Sequence, residues 1–107
     1  MANIEKETLE VPVQNKVIVV GITPVLVNPA RFRFMKGVIL YVPSQLDPVP
    51  NTAPIWLGNN LVTPDLAIDT GGFPLVPGSQ ITFPTDYLDG LFAVSTAADQ
   101  HLIWIGV

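Results

Sequence analysis

Short apolar runs bounded by Pro, Gly, Asn or Asp recur along this chain, and within them the side chains alternate with the period of a strand rather than of a helix. The stretch Gly37–Val62, GVILYVPSQLDPVPNTAPIWLGNNLV, sets the pattern. It predicts two apolar strands, Gly37–Val42 and Ala53–Gly58, joined as a central hairpin by the Pro-rich loop Ser44–Thr52. Beyond a turn at Gly58-Asn59-Asn60 the chain runs into Leu61–Thr63. In the second strand Ile55 and Leu57 are expected to face the core and Trp56 the other side.

Upstream, Leu9–Val13 and Lys16–Val20 are rich in valine, a β-branched residue that suits strands, with Gln14-Asn15 as the tight turn between them. Pro12 then belongs at an edge or a bulge. Val25–Val27 is a further short strand, ended by Asn28-Pro29. Ala30–Lys36, ARFRFMK, puts Arg31 and Arg33 on one strand face and Phe32 and Phe34 on the other.

Downstream, Thr63–Pro74 reads as a loop and Pro77-Gly78 as a type II turn. Gln80–Phe83 is a strand with Ile81 and Phe83 on one face, and Thr85–Gly90 is a turn or a single helical turn capped by Thr85. Leu91–Ser95 and His101–Val107 close the chain as a hairpin around Thr96–Gln100, with the last strand central in its sheet. Short strands with turns roughly every 8–12 residues are the signature of an all-β sandwich or barrel. The 11 prolines cut every candidate helix. The expected architecture is all-β: a single β-sandwich or jelly-roll-like barrel of about eight short antiparallel strands over residues 11–107, with an extended N-terminal arm at 1–10.

Composition changes this picture at the surface. A chain of 107 residues is one domain and can bury a core without staples; having no cysteine, it has no disulfide and no thiolate metal site. MANIEKETLE is polar and acidic, without the features of a signal peptide, and no apolar run approaches the roughly 18 residues of a membrane helix. The expectation is a soluble protein made in the cytosol, with no membrane partner. A net charge of -4 argues against nucleic acid as a partner. Charged residues are only 13%, against roughly 25% in ordinary domains. With 49% hydrophobic residues and a mean hydropathy of +0.45, the surface must carry many apolar side chains. Such surfaces are expected under other chains. The bland alternative is a Pro-rich secreted-type β domain with a quiet Thr/Ser/Asn surface.

Candidate chemistry is sparse. His101 is the sole histidine, and a Ser95–His101–Asp99 group across the last hairpin lacks a feature that would orient the imidazole. Asp65 and Asp69 lie near Gly71-Gly72 without the ligand alternation of a calcium loop, and turn chemistry explains them better. No catalytic residue, metal ligand or cofactor is predicted, and the chain is not read as an enzyme. The candidate interface residues are Glu5, Lys6 and Glu7 in the arm, Arg31, Arg33 and Lys36 on a basic ridge, and Trp56. Each has a plainer reading, as a frayed terminus, a solvated strand face and a packed tryptophan respectively.

Four stretches carry a family resemblance: NPARFRFMKGVILYV (Asn28–Val42), NTAPIWLGNN (Asn51–Asn60), FPLVPGSQITF (Phe73–Phe83) and LDGLFAVSTAADQHLIWIGV (Leu88–Val107). Together they resemble the small β-sandwich virion proteins of tailed bacteriophages, in which an Asn-bearing loop precedes a strand ending in Gly and an L-x-P-G turn precedes a closing hairpin. The matching positions are packing and turn residues. The resemblance implies a structural protein of the virion, assembled in the host cytoplasm, of the capsid decoration (cement) type, head fibres and tail modules being alternatives. It implies the major capsid protein or other virion subunits as partners and a homo-oligomer, a trimer being favoured. It carries over no catalytic residues. The alternative is a carbohydrate- or receptor-binding module using Trp56, Tyr41, Trp104 or Tyr87 as stacking platforms.

Overall fold

The computed structural model describes residues 13–29, 37–44, 46–48, 50–65, 67–84, 88 and 90–106. These form eight strands: β1 (Gln14–Val20), β2 (Val25–Leu26), β3 (Val38–Tyr41), β4 (Ile55–Gly58), β5 (Phe73–Leu75), β6 (Gln80–Phe83), β7 (Phe92–Ser95) and β8 (Gln100–Gly106). They build two four-stranded sheets, sheet A in the order β1-β8-β3-β6 and sheet B in the order β2-β7-β4-β5. All ladders are antiparallel. First pairs with last, second with seventh, third with sixth and fourth with fifth. This is a long two-stranded ribbon folded over on itself, so that β8 meets β3 and β7 meets β4. The result is a jelly roll, one of the two architectures expected from the sequence.

The expected hairpins are corrected. β3 and β4 lie in different sheets, and so do β7 and β8. Alternation tells which side chains go inward but not which strand pairs with which. The two sheet-to-sheet crossings, 42–54 and 96–99, satisfy each other instead. Gln100 Oε1 accepts from the Thr52 and Ala53 amides at 2.8 and 3.0 Å, and its Nε2 donates to Thr52 Oγ1 and to the Ala98 carbonyl. Asp99 makes the corner in the left-handed region at φ 59°.

Two smaller expectations also fall. Gln14-Asn15 is not a turn: both residues lie in β1, whose seven residues are all in register with β8. Leu61–Thr63 is not a strand; the Val62 amide donates to the Asn59 carbonyl and the Leu61 amide to Asn59 Oδ1, closing a turn. The turn at Pro77-Gly78 is as expected, with Ser79 N bonded to Val76 O and Gly78 at φ 91°. The last strand is interior to its sheet, and Ile55 and Leu57 are buried while Trp56 faces away.

The core lies between the sheets. Val38, Leu40, Leu102 and Trp104 of sheet A meet Ile55, Leu57, Leu75 and Ala93 of sheet B. Trp104 is fully buried, and its indole N–H donates to the Val27 carbonyl at 2.8 Å. A buried donor needs such an acceptor. The bond ties the segment after β2 to the second strand of sheet A.

Candidate interaction surface

The register of sheet A defines its outer face. Lys16, Trp104, Leu40 and Ile81 form one inward row. The neighbouring rows point out. One runs Asn15, Ile105, Ile39, Thr82; the next runs Val17, Ile103, Tyr41, Gln80; a third begins Val19, His101. None of these ten residues is an Asp, Glu, Lys or Arg. Val17 and Val19 are 57% and 58% exposed, and Ile39 and Ile105 stand out beside them. A solvated antiparallel face ordinarily alternates to polar residues here.

Sheet B shows how this fold treats the same problem elsewhere. Trp56 and Val94 are direct cross-strand partners on its outer face, yet Val94 is only 1% exposed. Val62, in the turn after β4, covers part of this side. Val62, buried, packs between two glycines: a Cβ at Gly58 or Gly72 would come within 2.7 or 2.6 Å of its Cγ2. The Trp56 indole N–H is buried without a hydrogen-bond partner among the described residues. Among the described residues no segment covers the outer face of sheet A in this way.

At one end of the exposed face is a hollow of about 390 Å³, lined by Val17, Pro43, Asp47, Pro48, His101 and Ile103. Its rim is a turn that carries a group of hydrogen bonds centred on Asp47. Asp47 Oδ2 accepts from the Tyr41 hydroxyl at 2.7 Å, from the Ser44 amide at 2.6 Å and from the Ser44 hydroxyl at 3.2 Å. The Asp47 amide donates back to the Ser44 carbonyl, and the Leu46 amide to Ser44 Oγ. The Tyr41 hydroxyl foremost, then the Ser44 amide, holds the Asp47 carboxyl below the usual aspartate range. This turn presents Leu46 almost bare, 96% exposed. Across the hollow, the His101 Nδ1 atom is buried with no hydrogen-bond partner among the described residues.

Of the predicted interface residues, Trp56 is on the outer face of sheet B, half-buried. Glu5, Lys6, Glu7, Arg31, Arg33 and Lys36 lie outside the described residues. Leu46, Val17 and Val19 were not singled out by the sequence reading. The signal for the valines was present: IVV at Ile18–Val20 is apolar on both faces of a strand. The suggested stacking role of Trp104 is overturned by its complete burial, and the Tyr41 hydroxyl is committed to Asp47.

The Ser95–His101–Asp99 group is not assembled by hydrogen bonds among the described residues. Ser95 belongs to sheet B and donates its hydroxyl to the Pro54 carbonyl at 2.8 Å, while Asp99 is exposed at the corner. Asp65 Oδ1 accepts from the Ala67 amide, as turn chemistry predicts. Among the described residues no cluster of His, Asp and Glu could hold a metal ion. Protein-family models, curated proteins and solved structures give no match to this chain.

Proposed function

We propose that this protein is a structural virion subunit of the capsid decoration type, which bridges and stabilises capsid subunits. The observation that supports the reading best is the outer face of sheet A, without a formal charge in its rows and with Val17, Val19, Ile39 and Ile105 exposed on it, on a jelly-roll frame. Jelly rolls serve in viral capsids, and also in lectins and cupins, so the frame contributes by analogy alone. The face contributes physically. Desolvating charges at a contact is costly, and a face without formal charges avoids that cost. Each 100 Å² of apolar surface covered releases about 2.5 kcal/mol before the costs of association. Shared among many copies, such contacts resist separation of neighbouring capsid subunits.

The test is co-sedimentation of purified protein with capsids assembled from the major capsid protein of the same genome. Saturable, stoichiometric occupancy and a raised capsid melting temperature are the expected results. Absence of the protein from the capsid pellet at saturating concentration rejects the reading.

A further inference from the structure

We infer that the outer face of sheet A is the contact between two copies of this chain, with Leu46 of each copy seated in the hollow beside His101 of the other. The argument starts from Leu46. A fully exposed leucine on a mobile loop would mean little, but this one is held on a turn that Asp47, Ser44 and Tyr41 lock by hydrogen bonds. A rigidly presented side chain loses little entropy on docking. The same turn supplies Asp47 and Pro48 to the wall of the hollow. A knob and a socket therefore sit side by side on one surface.

That arrangement selects the occupant. Under a two-fold axis the knob of each copy meets the socket of the other, and one patch serves both partners. A ring of three would need two different complementary surfaces. Charge permits it: the rows of the face hold no Asp, Glu, Lys or Arg, and the one carboxylate at the hollow, Asp47, is engaged by the Tyr41 and Ser44 donors of its own copy. Size permits it as well. Two strands of seven residues and two of four, at ~4.8 Å spacing and ~3.4 Å rise, give a footprint of roughly 360 Å² in projection. Leu46 and the walls of the hollow add to this, which puts the contact at the small end of the interface range. The outer face of sheet B is in part covered by the chain itself: Val94 is buried there and Val62 packs over Gly58 and Gly72.

The virion reading calls for self-association but not for this contact. Solution mass tests the contact alone, whereas capsid occupancy tests the reading. Sedimentation equilibrium of the full chain from about 1 to about 500 µM brackets association of modest strength. The expected species is a dimer of twice 11.6 kDa. Leu46→Asp and Val17→Lys, both at exposed positions, should weaken the dimer at least ~30-fold with an unchanged melting curve. Leu61→Asp, exposed on the 59–72 segment, should leave it intact. A wild-type monomer throughout the range, a trimer, or survival of the dimer in either folded variant overturns the inference.

Discussion

The side chain of Asn51 takes both backbone groups of His101: Nδ2 donates to the His101 carbonyl at 2.7 Å and Oδ1 accepts from the His101 amide at 2.8 Å. One asparagine thus does what a further residue of β3 would do. β3 pairs with β8 only as far as Tyr41↔Ile103, and then crosses away. Without Asn51 the next polar groups of β8 would be left unpaired where a neighbouring strand is missing. Asn51 is fully buried, so water has no easy access to replace it.

Asn51→Ala should therefore be severe. Two backbone groups lose their partners, at about 1–3 kcal/mol each. A total near 3 kcal/mol lowers the melting temperature by roughly 10–20 °C in a domain of this size. Thermal unfolding followed by circular dichroism checks it; a fall of under about 3 °C would mean the clamp is dispensable.

Tyr41→Phe should raise the Asp47 titration toward the ordinary value of about 3.9. The folded carboxyl lies below that value because its ionised form accepts the Tyr41 and Ser44 donors. Its stabilising contribution is complete above the unfolded value and is lost as pH falls through the folded one. Carboxyl carbon shifts measured by NMR across the acid range report the change directly. An unmoved titration would assign the effect to Ser44 alone.

Val62 and the glycines around it form a coupled set. Gly58→Ala should destabilise by about 1–3 kcal/mol, because the new Cβ comes within 2.7 Å of Val62 Cγ2. Val62→Ala alone should cost a similar amount by leaving a cavity. The double substitution should cost less than the sum, with a coupling of about 1 kcal/mol in urea unfolding. Strict additivity would place the strain elsewhere.

Removal of residues 1–10 tests the arm. On the virion reading, Glu5, Lys6 and Glu7 add contacts to a neighbouring subunit, so the truncated protein should occupy capsids less completely at equal concentration. The domain's melting temperature should stay within a few degrees. Undiminished occupancy takes the arm out of the attachment.

The all-β class, the type II turn at Pro77-Gly78 and the outward Trp56 were legible in the sequence because each depends on local periodicity or on one residue's backbone preference. Strand partnership was not legible. Neighbouring apolar strands read as hairpins, but β4 and β8 are directed across the sandwich by Asn51 and Gln100, whose partners lie 47 to 50 residues away. The interaction face escaped for a related reason. Val17 and Val19 look like core until the register shows that Ile18 and Val20 occupy the inward rows. Leu46 looks like loop filler until the Asp47 bonds fix the turn that carries it.

The pairing of first strand with last has a kinetic consequence during synthesis. β1 leaves the ribosome long before residues 100–106 exist, and among the described residues those are its only ladder partner. Until then its valines and its unpaired backbone are open to neighbouring nascent chains. Closure must wait until residues 100–106 have emerged, and contacts this distant along the chain make it slow. A nonsense codon that removes β8 would do more than shorten sheet A: among the described residues it would strip β1 of its ladder and leave β3 with β6 alone.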